Sequence, residues 1–234
     1  MKIKKILFLL PFFILVSCIK DPENWTVIKQ TIYSIYSANT IEISKGIFKT
    51  SSNIHNYIEI TISDSHYINS DSLYDINGTA SGIAIIVFEN LYEIDSNLTI
   101  DINIIQNLNG SEKHFAFRYP INIVNTAYNC FDQIDSLFHP LLENDYYNAY
   151  NKLSPSFKTN YDFNSFKNTF MELESRTGEL KQYKIRGFEV ISIIVDGSKK
   201  ELIKFNIVCY GDTPYKMEVF FDTKKSSQIY GFQI

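Results

Sequence analysis

Polar and apolar residues alternate along 57–63, where Tyr57, Glu59, Thr61 and Ser63 interleave with Ile58, Ile60 and Ile62. A period of two puts the three isoleucines on one face of a strand, the buried one. Upstream the period lengthens. Trp25, Ile28, Ile32 and Ile35 fall on one side of a helix, and Asp21-Pro22-Glu23 supplies a cap, a first-turn proline and a favourable charge at its start. Residues 40–50 have strand character, and the Ser-, Asn- and Asp-rich stretch 64–78 reads as a loop. Residues 79–92 fit two readings. Ile83 to Phe88 suits a buried strand, whereas Ala80, Ile83, Ala84, Val87, Phe88 and Leu91 share one helix face. The longer set exceeds a typical strand and tips the balance to helix. Strands follow at 98–105 and 113–124, joined through the hairpin signal Asn109-Gly110. The order α-β-β-α-β-β predicts an α+β layer.

The pattern restarts after Val124. Ala127, Cys130, Phe131, Ile134, Leu137, Phe138, Leu141 and Leu142 recur at helical spacing, with Pro140 expected to kink or interrupt the helix. Residues 145–152 predict a short helix, Ser154-Pro155 opens another, and Asp162 caps a longer one that closes at Gly178. Then the period becomes two. Strands are expected at 181–195, 201–210, 215–222 and 228–234, with Asp196-Gly197 and Gly211-Asp212-Thr213 as turns. Helices followed by an antiparallel meander make a second α+β unit. Residues 18–125 and 126–234 are thus expected as two domains sharing few core contacts.

The segments LLENDYYNAYNKLSPSFK and FKNTFMELESRTGELKQYKI, with the closing IYGFQI, resemble the nuclear transport factor 2-like, cystatin-like cone superfamily in its small secreted or lipid-anchored forms. The resemblance implies a curved antiparallel sheet wrapped around a helix, with room for a pocket. It implies no particular function, because enzymes, ligand binders and assembly modules share that cone.

The first residues carry an address. Lys2, Lys4 and Lys5 precede an uncharged apolar run from Ile6 to Val16, too short to span a bilayer but long enough for a signal-peptide core. Leu15-Val16-Ser17-Cys18 resembles the lipobox of bacterial lipoproteins. That resemblance implies removal of residues 1–17 and acylation of Cys18, palmitate included, with two acyl chains supplying a stable anchor. The membrane is then a partner through that lipid. Ile19 is not the aspartate that retains gammaproteobacterial lipoproteins at the inner membrane. Lys20-Asp21 resembles the charged tract of surface lipoproteins in the Bacteroidetes. Outer membrane or cell surface is therefore favoured.

Charge and chemistry narrow the function further. Without residues 1–17, 217 of the 234 residues remain, 19 basic against 26 acidic, and the formal charge moves from −4 to −7. Nucleic acid is not an expected partner of such a chain. His55, His66, His114 and His139 stand in no metal-ligand or catalytic spacing, there is no Cys-x-x-Cys, and no cofactor loop appears. Gly78-Thr79-Ala80-Ser81-Gly82 misses the nucleophile elbow by one place and reads as turn and helix entry, and Asp64-Ser65-His66 reads as surface loop. No catalytic or metal-binding residue is assigned. Cys130 and Cys209 both point to the core, as two buried thiols or, alternatively, a disulfide. Tyr146, Tyr147 and Tyr150, with Phe157 and Tyr161, are packing residues or the mouth of a pocket. Lys204, Asn206, Lys216 and Glu218 face either the cone interior or solvent. The expected function is a lipid-anchored envelope module that binds an unidentified envelope protein or ligand. The alternative is a small hydrolase or isomerase with His139 and a carboxylate meeting in the C-terminal cone.

Overall fold

The computed structural model describes residues 24–49, 54–65, 68, 75–108, 110–195 and 197–234. Leu15-Val16-Ser17-Cys18, Asp21-Pro22-Glu23, His66, Asn109 and Asp196 lie outside the described residues. The chain is α+β, with two four-stranded sheets. Helix α1 (Trp25–Tyr36) leads into strands β1 (Ala38–Lys49) and β2 (Ile54–Ser65). Helix α2 (Ile76–Glu89) then crosses to β3 (Leu98–Leu108) and β4 (Ser111–Pro120). The sheet order is β1-β2-β3-β4. The outer pairs are antiparallel, but β2 and β3 run parallel, the arrangement that requires a crossover such as α2. Ile58, Ile60 and Ile62 lie level with Ile100, Ile102 and Ile104, and none of the six is more than 1 % exposed. Burial of each such side chain contributes about 1.5–3 kcal/mol.

Two boundaries in this region differ from those expected. The loop ends at Asp75, whose carboxylate accepts the Asn77 N–H at 3.0 Å, so the helix starts before Gly78. The fourth strand stops at Pro120, and α3 (Ile121–Tyr128) follows where a strand was expected to run on to Val124. Proline has no N–H for the ladder, and Ile121, Val124 and Ala127 bury at helical spacing. The ambiguity of residues 79–92 also has a physical cause. From Gly78 to Phe88 every residue of α2 except Gly82 is buried, so the helix has no polar face for periodicity to reveal.

The second region follows its local signals closely. Helix α4 (Phe131–Leu142) is separated from α3 at Asn129-Cys130, and Pro140 sits inside its last turn without interrupting it earlier. Asp145 caps α5 (Tyr146–Asn151), Ser154 caps α6 (Pro155–Asn160), and Asp162 caps α7 (Phe163–Thr177), accepting from Asn148, Phe157 and Ser165 N–H at 3.1, 3.3 and 2.7 Å. Gly178 closes α7 with φ +77° and donates its N–H to Glu174. Strands β5 (Gln182–Val195), β6 (Ser198–Tyr210), β7 (Tyr215–Asp222) and β8 (Lys225–Gln233) form the expected antiparallel meander.

The expectation of few shared core contacts is corrected. Helix α2 packs against β5 as well as β3, and one buried cluster runs from Ile28 to Ile229. Ser81, fully buried, accepts the Phe188 N–H at 2.7 Å and donates to the Gly78 carbonyl at 3.1 Å. Strand β5 is the outermost of its sheet, so α2 satisfies an edge amide that no strand reaches. Gly187 stands at the β5 bulge with φ +141°, and a Cβ there would run into Gly78 and Ser81. Gly78-Thr79-Ala80-Ser81-Gly82 opens α2 and also brings its backbone against the second sheet.

Candidate functional site

The second sheet buries Ile203, Phe205, Ile207, Met217 and Val219 on one side. The intervening residues of β6 and β7 necessarily point the other way. There they floor a cleft of about 200 Å³. Lys204, Asn206, Lys216 and Glu218 all line it, together with Arg186 and Glu189 of β5 and Asp75 at the start of α2. Val208 provides an apolar patch between the charges.

These side chains form a continuous network. Lys204 Nζ lies 3.1 Å from Glu218 Oε1 and 3.5 Å from Glu189 Oε2. Asn206 Nδ2 donates to Glu189 Oε1 at 3.2 Å and to Asp75 Oδ2 at 3.3 Å. Arg186 Nη2 donates to the Tyr210 hydroxyl at 2.8 Å. Burial acts to lower the Lys204 pKa, but the Glu218 hydrogen bond and the charges of Glu189 and Glu218 together outweigh it. The ammonium therefore titrates above the ordinary lysine value. Behind the cleft, burial drives the Tyr119 phenol well above its usual value; Asp75 and Glu189 add to the shift and a hydrogen bond with Ser81 opposes it. The arrangement offers fixed donors and acceptors around an apolar patch.

Sequence patterning singled out Lys204, Asn206, Lys216 and Glu218 without deciding between cone interior and solvent, and it did not single out Asp75, Arg186 or Glu189. Asp75 lay in a stretch read as loop, and only the β5–β6 register sets Glu189 opposite Lys204. Other candidates lie elsewhere. Tyr146 donates to Glu174 at 2.6 Å, Tyr150 donates to the Tyr161 carbonyl at 3.0 Å, and Tyr147 is exposed with its ring edge-on to Phe163. None of the three lines the cleft. Cys130 and Cys209 are buried thiols that form no disulfide, so the alternative of a bridge between them is not formed, and Cys130 Sγ donates to the Thr126 carbonyl at 3.2 Å. Burial pushes each thiol up to about 12, partly offset at Cys209 by a hydrogen bond with Tyr215. His139 is exposed in the last turn of α4 and is not among the residues that line the cleft. His114 is exposed and paired with Glu112 at 2.6 Å. Among the described residues no group of three or more His, Cys, Asp or Glu could hold a metal ion, and no helix is long and apolar enough to cross a membrane.

Comparison of the chain with protein-family models, with curated proteins and with solved structures finds no match.

Proposed function

We propose that this protein is a non-catalytic binding module, held by lipid on Cys18 in the bacterial cell envelope, at the outer membrane or cell surface. Its ligand site is the cleft on the second sheet. One observation carries the binding reading: the cleft is ordered by its own hydrogen bonds before any ligand arrives, from Asp75 through Asn206, Glu189 and Lys204 to Glu218. Pre-ordered polar groups beside an apolar patch favour recognition, since little side-chain freedom is left to lose. Acid–base catalysis needs a group that titrates near the working pH. Lys204 of the cleft is driven the other way. The anchor rests on Leu15-Val16-Ser17-Cys18 behind the apolar run.

Two measurements test the reading. Cells expressing the full chain are labelled with radioactive palmitate. The wild type is expected to take up label and sediment with membranes, while Cys18→Ala takes up none and remains as precursor. Label on Cys18→Ala at the wild-type level would remove the anchor. The purified full chain is also assayed against a panel of ester, amide, glycoside and phosphate substrates, with and without divalent metal, and no turnover is expected. Turnover that disappears in Glu189→Gln, with the circular-dichroism spectrum unchanged, would replace the binding module by an enzyme using this cleft.

A further inference from the structure

We propose that the face of the first sheet that no described helix covers is a groove for a neutral oligosaccharide, with Tyr57 as its stacking platform. Helices α1 and α2 cover the isoleucine side of this sheet. On the other side, register sets Tyr57 between Gly46 and Thr99, Glu59 between Ser44 and Asp101, and Asn103 between Thr61 and Ala116. Three shallow hollows, of about 310, 320 and 210 Å³, lie along this face. The first and second share Arg118, and the second and third share Asn103 and Ala116. They therefore form one groove with three successive stations, the shape of a site for a chain of repeating units rather than for one compact ligand.

The lining chemistry narrows the repeating unit. A Cβ on Gly46 would collide with the Tyr57 ring, so the ring lies flat across that glycine. Covering a glycine in an edge strand is stabilising by itself. It also leaves the ring lining the first hollow, where a flat apolar surface can receive the C–H face of a sugar ring. Hydroxyl groups around a sugar's rim need donors and acceptors in fixed positions, and the groove supplies both. Arg118 holds Asp101 with two parallel hydrogen bonds, at 2.9 Å from Nε and 2.8 Å from Nη2. Glu59 accepts from Asn103 at 2.7 Å and from Ser44 at 3.3 Å. A carboxylate has about four acceptor positions and a guanidinium five N–H donors, so these groups hold each other in place with capacity to spare. The charges also bear on the ligand. Arg118 and Asp101 cancel, Glu59 is left over, and the chain as a whole is anionic. The groove therefore repels a polyanion, while the Tyr57 ring and the fixed donors and acceptors suit a neutral, hydroxyl-rich chain. It is formed by the first sheet alone and stands whatever the cleft on the second sheet holds.

Affinity electrophoresis tests this with the full chain in detergent, run through gels containing starch, mannan, xylan, hydroxyethylcellulose or heparin. At least one neutral polysaccharide is expected to retard the wild type, and heparin is not. Tyr57→Ala is expected to weaken that retardation about ten-fold or more, the scale set by loss of a stacking ring, while Tyr57→Trp keeps it. Asn103→Ala is expected to weaken it several-fold, which provides an independent readout if Tyr57→Ala fails to fold. Tyr147→Ala, at an exposed tyrosine of the C-terminal half, is expected to change nothing. Retardation by heparin alone, by no neutral polysaccharide, or equally in wild type, Tyr57→Ala and Asn103→Ala would overturn the proposal. So would a face-to-face dimer, measured by light scattering, that Tyr57→Ala dissolves.

Discussion

The two sheets have the same number of strands and opposite relations to their own sequence. In the second, four helix ends are marked locally: Asp145, Ser154, Asp162 and Gly178 each make the hydrogen bond that their residue type is suited to. In the first, the decisive ends are tertiary. Helix α2 is buried almost all round, and its entrance is shaped by contacts with β5, more than a hundred residues away in sequence. Local chemistry marks a boundary where the chain turns in solvent. It marks it poorly where the backbone ends against another element.

Separating the two regions should have the largest effect. Residues 126–234 alone would expose Phe188 and the β5 edge now covered by α2. The fragment is expected to be poorly dispersed by NMR and prone to self-association, whereas a sharp, monomeric spectrum would show that α2 is dispensable to the second sheet. Next in size is Gly187→Ala, which places a Cβ against the α2 backbone at a φ of +141°. We expect a loss of about 3–4 kcal/mol in urea unfolding, from strain and overpacking together. Trp25 is the single tryptophan and lies in α1, so its fluorescence reports on the first region while far-UV circular dichroism reports on both. The two transitions should stay coincident and shift together. Separate midpoints would mean that the sheets unfold independently.

Smaller changes sharpen the contrast. Ser81→Ala should cost about 1–3 kcal/mol, because the Phe188 N–H is left buried without an acceptor. Ser154→Ala removes a local cap and should cost only about 1 kcal/mol. A larger loss from Ser154 than from Ser81 would reverse the ranking of tertiary over local contacts. The smallest effect at neutral pH concerns the thiols. Burial holds Cys130 and Cys209 protonated in the fold, pushing each thiol up to about 12 from an ordinary 9.0. The folded state thus keeps protons that the unfolded chain releases, so this stability is fully present below about pH 9 and is lost as pH rises from there toward 12. At pH 8 neither thiol should react with Ellman's reagent until urea is added. Rapid reaction of the native protein would mean that one of them is accessible.

Several parts of the structure could be read from residues alone. Ile58, Ile60 and Ile62 announce a strand with one buried face because the side-chain period of a strand is two. Alternation picked out Lys204, Asn206, Lys216 and Glu218 as polar strand positions, although it left open whether they face the cone interior or solvent. Other features were not legible. Near Ile121 only Pro120 and the short spacing of Ile121, Val124 and Ala127 hint at a helix, and Asp75 looks like any loop aspartate until Asn206 is beside it. Tyr57 and Gly46 are unremarkable until the β1–β2 register makes them opposite neighbours.

The sequence by itself determined the α+β class, the order of helices and strands apart from α3, and the capped helices of the second region. These depend on periodicity and on hydrogen bonds that span a few residues, both written directly along the chain. Only the tertiary structure decided that β2 and β3 run parallel, that α2 joins both sheets in one core, and that Asp75 and Glu189 complete the cleft with Asn206 and Lys204. Those outcomes depend on strand register and on which buried face meets which. An all-round apolar helix such as α2 carries no sign of its neighbours, and distant side chains reveal their partnership only once the backbone has brought them within reach.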